Sequence, residues 1–469
     1  MKIVIIVPDG VGVRNYLYSK FIDYLLENNH EVIIYHNLSK SAITEIKRIK
    51  PALENFENLS NFIENGKARL LRESLAYGRL LQNKIKLKNY SILKFWNPSK
   101  KGVKKRVLYF LAEVLGFLFS KSLKLIHKAD LLYEKEILKS EATNINFNRL
   151  KKLSPDFILN LHQRSTLASP AISAAKKLNI KTGTVIFSWD NVPKARLISR
   201  YDYYFVWSQL MKDELLQLYP EIISKQIKIT GTPQFEFYSN KELYLEKEVF
   251  FKSYGLDINR KTICYSGNDA SSPYEANFLE DICEEISEIE ENKRPQILFR
   301  RCPVDKSNRF DKVLEKYKGL IFSIDPDWRI DKENRDSFTT IYPTLNDVKL
   351  LVNTVFHSDL VINLGSTMAH DFAVLNKPCF YLNYNPVKNS IFKVEDVYSF
   401  QHFNSLKDID AVGFINHKND IKKNIYDTLF SSKVIGKDRI NWLNRIVLHP
   451  LEKNSKILIE EIEAINSQN

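Results

Sequence analysis

The sequence has little cysteine: four residues in 469, at positions 264, 283, 302 and 379. They are widely scattered, with no CxxC pair and no Cys/His cluster at metal-ligand spacing, which argues for a reducing compartment and against structural zinc. Asp325-Pro326-Asp327 has the spacing of a DxD triplet, but its proline marks a turn, and no metal site is expected. GxGxxG is absent as well. Asp9-Gly10-Val11-Gly12-Val13-Arg14-Asn15 carries Asn15 where the third glycine would stand, so no nicotinamide cofactor is implied and none is expected. There is no short-period repeat and no low-complexity tract. The strongest apolar run, Val107 to Phe119, is too short to span a bilayer. The apolar start, Lys2 to Val7, is short for a signal peptide and runs straight into a Pro-Asp-Gly turn; it reads as a first buried strand.

What is present is a long, basic, core-forming chain. At 469 residues two domains are the default, and 44% hydrophobic with 12% aromatic residues is ample for burial. The net charge of +13 admits nucleic acid or an anionic membrane as partner, and its distribution decides between them. Lys100, Lys101, Lys104, Lys105 and Arg106 lead into the apolar run, and Lys121, Lys124 and Lys128 come after it. A basic-flanked apolar helix of this kind can lie in the interface of an anionic membrane. The alternative is a core helix with a solvated basic lead-in, since Glu113 and Gly116 interrupt the run. No aromatic-interleaved basic stripe or RNP1 motif is visible, so nucleic acid is not expected as a partner.

Strand and helix signals alternate as in parallel-sheet domains. Lys2–Val7 and Glu31–Tyr35 read as strands around an amphipathic helix from Tyr16 to Glu27. Residues 39–140 are charge-rich and helical and read as an insertion. Strands resume at Asp156–Leu161, Thr182–Phe187, Tyr203–Trp207 and Gln226–Thr230. After a charged stretch, Asn240 to Lys252, a fresh set begins at Thr262–Gly267 and continues through Gln296–Arg300, Leu320–Ile324, Ser358–Leu364 and Cys379–Leu382. The expectation is an α/β fold of two Rossmann-like, doubly wound domains facing across a cleft: 1–240 with the insertion, 241–450, and a C-terminal helix over 451–469.

In open α/β sheets ligands bind at the carboxyl ends of strands, so chemically loaded strand ends are the candidate sites. The richest is the aspartate-led strand ending in Gly365-Ser366-Thr367, where a tight turn opens a helix whose free amides suit an anion. Ser366 and Thr367 can cap that helix or bond a phosphate, and Asp371, about one turn inside, could accept hydrogen bonds from sugar or ribose hydroxyls. Ser266-Gly267 and Arg300-Arg301 stand after other strands; an arginine beside a diphosphate would supply forked, charge-assisted donors. In the first half Gly10 and Gly12 allow close backbone approach by a ligand, with Arg14 a fixed cation and Asn15 beside it. His162 and Asp190 stand at strand ends where either could take a proton from an acceptor hydroxyl. Each has its structural alternative: a capped helix, a solvated arginine pair, a satisfied histidine, an Asp-Asn turn.

The phrases Phe187-Ser188-Trp189-Asp190-Asn191, Tyr203-Tyr204-Phe205-Val206-Trp207-Ser208, Thr230-Gly231-Thr232-Pro233-Gln234-Phe235, Cys264-Tyr265-Ser266-Gly267-Asn268-Asp269 and Phe299-Arg300-Arg301-Cys302-Pro303-Val304-Asp305 resemble a bacterial GT-B-type glycosyltransferase group, distantly similar to the CDP-glycerol glycerophosphotransferases. The resemblance covers roughly residues 1–30 and 150–400. It implies a nucleotide-diphosphate-sugar donor held by the C-terminal domain through Ser266, Gly267, Arg300, Arg301, Gly365, Ser366, Thr367 and Asp371. An acceptor would be held by the N-terminal domain, around Gly10, Gly12, Arg14 and Asn15. Cys302-Pro303 departs from the His-Pro of related transferases. Asn363 stands where the two-glutamate pattern of the retaining class would place an acid, which leans the stereochemistry towards inversion through His162 or Asp190. The expected protein is a metal-independent, cytoplasmic enzyme of surface-polysaccharide assembly, peripheral on the inner face of the membrane through Lys100–Lys128. It would move a sugar to a lipid-linked or glycan acceptor. A CDP-glycerol or ribitol phosphotransferase and a non-catalytic basic scaffold are the alternatives.

Overall fold

The computed structural model describes residues 1–99, 101–269, 271–331, 339–431 and 433–467, and the chain divides into two compact units. Lys100 lies outside the described residues. The first unit comprises residues 1–233, 400–402 and 446–469, so the C-terminal helix Asn454–Ser467 belongs to it. Its sheet is built from β1 (Lys2–Val7), β2 (Glu31–His36), β3 (Asn55–Asn58), β4 (Phe157–Asn160), β5 (Lys181–Val185), β6 (Tyr203–Val206) and β7 (Ile227–Ile229). The order is β3-β2-β1-β4-β5-β6-β7 and every pairing is parallel, Ile5 standing beside both Ile34 and Leu159. β1 and β4 are buried almost throughout, which is why both read as unbroken apolar runs.

Two sequence expectations change here. The helix expected from Tyr16 begins at Lys20, because Ser19 caps it by accepting a hydrogen bond from the Phe21 amide, and Val13–Tyr18 forms a single π turn before it. The stretch read as a helical insertion contains β3, an edge strand whose Asn-Phe-Glu-Asn carries one apolar side chain and so gave no strand signal. The helices Gly66–Lys86, Val103–Phe119, Leu123–Leu138 and Glu141–Leu153 come after it.

The second unit comprises residues 234–399 and 403–445. It contains β8 (Thr262–Ser266), β9 (Gln296–Arg300), β10 (Ile321–Ile324), the antiparallel ribbon β11 (Trp328–Ile330) and β12 (Ile341–Pro343), then β13 (Leu360–Asn363), β14 (Cys379–Leu382) and β15 (Gly413–Ile415). Its parallel sheet runs β10-β9-β8-β13-β14-β15. Both units are Rossmann-like, each with one place where the order of strands reverses: between β1 and β4, and between β8 and β13.

Each reversal is locked by the same device. The residue before β13, Asp359, donates its amide to the Thr262 carbonyl and accepts the Thr262 amide on its carboxylate at 2.8 Å. Asp156, before β4, does the same with Lys2 at 2.7 Å, and Asp202, before β6, with Thr182 at 2.8 Å. A carboxylate accepting an otherwise orphaned strand-start amide is a charge-assisted bond, and it holds neighbouring parallel strands in register. Replacing Asp359 by Ala is expected to cost about 1–3 kcal/mol in chemical denaturation, with Asn recovering part of it.

Candidate functional site

In the first unit the reversal brings the end of β1 beside the end of β4. Asp9 and His162 meet there, His162 Nδ1 lying 2.8 Å from Asp9 Oδ2. Both are buried. A carboxylate only accepts, so Nδ1 carries the proton and Nε2 is left as the basic nitrogen. The neighbours fix this dyad. Asp9 Oδ1 accepts the Val11 amide at 3.0 Å, holding the turn after β1. Asn160, the last residue of β4, donates to the His162 carbonyl at 3.0 Å and to the Tyr201 hydroxyl at 2.8 Å. Gly12 has φ of +87°, and a Cβ there would stand 3.2 Å from Leu161 Cβ, so its glycine is what lets the two loops approach. Arg14 donates to Asn15 Oδ1 at 2.9 Å; Asn15 is almost fully buried and orients the arginine from within.

Asp190, after β5, lies in the same unit. Burial alone would raise its pKa, but Lys194 at 2.5 Å, the nearby His402 and hydrogen bonds from Lys194 and Ser188 hold it well below the usual carboxylate range. So weak a base suits anchoring better than proton abstraction. Asn191 donates to Asp190 at 3.2 Å and accepts from Arg164 at 3.3 Å, which ties the β5 loop to the β4 loop. Glu214, on the helix after β6, is the reverse case: burial and the Asp190 charge push it up to about 8 against a hydrogen bond from Gln401, so it is largely protonated at neutral pH. His402 packs edge-on against Trp189 and is pushed down to about 4 by burial.

In the second unit the loop after β8 meets the turn after β13. Asn268 Nδ2 donates to the Leu364 carbonyl at 3.0 Å, which brings Ser266 and Gly267 together with Gly365, Ser366 and Thr367. Gly365 adopts φ of +67°, and the buried Asn363 side chain accepts the Ser366 amide at 2.8 Å, closing the turn. Ser366, not Thr367, caps the next helix, accepting the Met368 amide at 3.3 Å, while Thr367 is exposed and makes no cap. That helix is only seven residues, Met368–Val374. Asp371 is buried within it and accepts a hydrogen bond from the Tyr238 hydroxyl at 2.9 Å.

The two arginines after β9 part company. Arg300 is buried and its Nη2 donates to both oxygens of Asp347, at 2.9 and 3.0 Å. Asp347 is fully buried and also accepts from the Asp327 amide and from Trp328 Nε1. Arg300 is thus committed to a buried ion pair; its Nη1 has no hydrogen-bond partner but is itself buried, so it is not open to the diphosphate contact expected of it without rearrangement. Arg301 stacks over Phe310, donates to the Ser307 carbonyl at 2.7 Å and is partly open. Arg309, which the sequence did not single out, donates to the Asn268 and Asp269 carbonyls at 2.6 and 3.2 Å and holds the loop after β8. A cavity of about 640 Å³ opens at the opposite, strand-start end of this unit, beside Lys261, His357, Asp359 and Lys377. Three of its four lysines are already spent, Lys261 on Asp359, Lys247 on the Ile258 carbonyl and Lys377 on the carbonyls of Val355, Phe356 and Ser358.

Sequence reasoning therefore missed Asp9, Lys194, Glu214, Arg309 and Asp347 as parts of these sites. Asp9 stood in plain view but read as a turn residue; Glu214 sits in an ordinary helical pattern and carried no signal.

No family model matches this chain, and neither does any curated protein. Solved structures do. The UDP-GlcNAc 2-epimerase of Methanocaldococcus jannaschii is similar with TM-score 0.54 at 15% identity, over 99% of this chain and 100% of that one. The Neisseria meningitidis UDP-GlcNAc 2-epimerase bound to UDP-GlcNAc gives 0.50 at 12%, over 99% and 100%. A glycosyltransferase from Rickettsia africae gives 0.51 at 12%, over 100% and 98%. At such identities the likeness is one of fold: the architecture is GT-B, two Rossmann-like α/β domains. It lends no support to the similarity with CDP-glycerol glycerophosphotransferases.

The site generates two expected outcomes. Arg300→Ala is expected to destabilise by about 3–5 kcal/mol in denaturant titration, because it leaves Asp347 charged and buried, whereas Arg301→Ala should cost under about 1 kcal/mol. Glu214 is protonated in the folded state up to about 8 but only to about 4.5 when unfolded, so the native protein binds the extra proton between those values and stability falls as pH rises through that window. Glu214→Gln should abolish that part of the decline and melt higher than the parent above pH about 8.

Proposed function

We propose that this chain is a cytoplasmic enzyme that processes nucleotide-diphosphate sugars, transferring the sugar to a hydroxyl of a lipid-linked or glycan acceptor without a metal ion. The observation that carries the reading is the Asp9–His162 pair at the strand-order reversal of the first unit: a buried imidazole whose Nδ1 is engaged by a carboxylate and whose Nε2 is left to take a proton. In the transfer, the acceptor O–H bond breaks and its proton passes to His162 Nε2. The oxygen forms a bond to the anomeric carbon, and the bond from that carbon to the diphosphate breaks, the nucleotide leaving with the electron pair. Asp9 stabilises the imidazolium that results. Asp190, bound to Lys194, is assigned to holding the acceptor side and not to proton transfer. In the second unit Ser266, Gly267, Gly365, Ser366 and Thr367, with Arg301, are assigned to the donor.

A second reading is epimerisation of a nucleotide sugar, favoured by the fold shared along nearly the full chain with UDP-GlcNAc 2-epimerases. Chromatography of the products decides between the two: isomerisation with no acceptor present supports the epimerase, nucleotide release that depends on an acceptor supports the transferase. For the transferase, His162→Ala and Asp9→Asn should each lower kcat by about 10²-fold or more while calorimetric affinity for the donor nucleotide stays within about twofold. Retention of full kcat in His162→Ala would remove His162 as the base.

A further inference from the structure

The helix Val103–Phe119 has two apolar faces, and only one is used. Tyr109, Ala112 and Gly116 are buried against the helix Gly66–Lys86, so closely that a Cβ at Gly116 would stand 2.6 Å from the Ser74 carbonyl. On the other side Val103, Val107, Phe110, Leu111, Val114, Phe117 and Leu118 are 42–72% exposed. At 100° per residue these seven fall within an arc of roughly 120°, a continuous apolar stripe. A patch of this kind on a folded protein marks an interaction surface.

Charge selects the occupant. From Lys101 to Lys128 the chain carries seven Lys or Arg and one acid, Glu113. That acid is turned to Trp96, accepting from its Nε1 at 3.0 Å. Lys101, Lys104, Lys121, Lys124 and Lys128 are exposed. A self-complementary contact between two copies would set these cations against each other, whereas a surface of anionic lipid takes the apolar stripe into its acyl boundary and the lysines at its headgroups. We infer that the outward face of Val103–Phe119, with its flanking lysines, docks this protein on an anionic membrane surface. Among the described residues no helix is long and apolar enough to cross a membrane.

The inference stands on exposure and charge and is separate from the nucleotide-sugar reading. The test is sedimentation of the full chain with vesicles of phosphatidylcholine alone and of phosphatidylcholine mixed with phosphatidylglycerol. Binding is expected only to the mixed vesicles and should weaken with salt. Lys104→Ala combined with Lys124→Ala should weaken it on the order of thirtyfold, and Phe110→Glu combined with Phe117→Glu should abolish it. Those side chains lie outside the core, so the melting temperature and donor-nucleotide binding should be unchanged. Absence of binding to the mixed vesicles at low salt overturns the inference. So does a dimer in sedimentation velocity that Phe110→Glu plus Phe117→Glu dissolves, since the face would then belong to a second copy.

Discussion

The arrangement of both sites depends on a short reciprocal contact at the start of two strand pairs, Asp156 with Lys2 and Asp359 with Thr262. In a buried parallel sheet both faces are apolar, so the hydrophobic pattern alone discriminates weakly between registers. The aspartate supplies what the pattern lacks. It satisfies an amide that would otherwise be orphaned and does so in one register only. Those two pairs are the ones where strand order reverses, so the device that fixes the strand starts also decides which residues meet at the opposite ends.

From that constraint the polar residues divide into those that build and those left to react. Asn363 is spent on the Gly365 turn, Arg309 on the carbonyls after β8, and Arg300 Nη2 on Asp347. Each removes a donor or acceptor from any ligand and adds rigidity to the backbone a ligand would meet. Asp371 obeys the same logic: its carboxylate faces Tyr238 from inside a short helix. The groups that stay open form a smaller set: Thr367 is exposed and Arg301 partly so, while Arg300 Nη1 is buried without a partner.

Burial raises the pKa of two neighbouring acids of the first unit, yet they end in opposite states. Asp190 is desolvated but has Lys194 beside it and stays ionised; Glu214 is desolvated with only an amide for company and retains its proton. The difference is the presence of a cation beside Asp190. One carboxylate is thereby a fixed anion and the other a neutral donor, in the same unit as an imidazole that a third, Asp9, holds in a single tautomer.

The elements were legible from the sequence wherever a local pattern sufficed. The apolar runs of β1, β4, β8, β9 and β13, the turn at Gly365 and the basic-flanked helix after Lys101 are all properties of short windows, because burial of a strand or the conformation of a glycine is set by a few adjacent residues. With them came the α/β class, the two Rossmann-like units and the strand ends at which to look. Partnership was not legible. Asp9 and His162 are 153 positions apart and Arg300 and Asp347 are 47 apart, and each pair exists only because the fold places distant segments side by side. Nor could the composition of β3, with one apolar residue, reveal an edge strand that owes its place to the backbone of β2. The sequence by itself determined which segments are buried and where polar groups cluster. Tertiary structure alone decided which of those groups neutralise one another and which remain to act, since that depends on contacts between segments far apart in the chain.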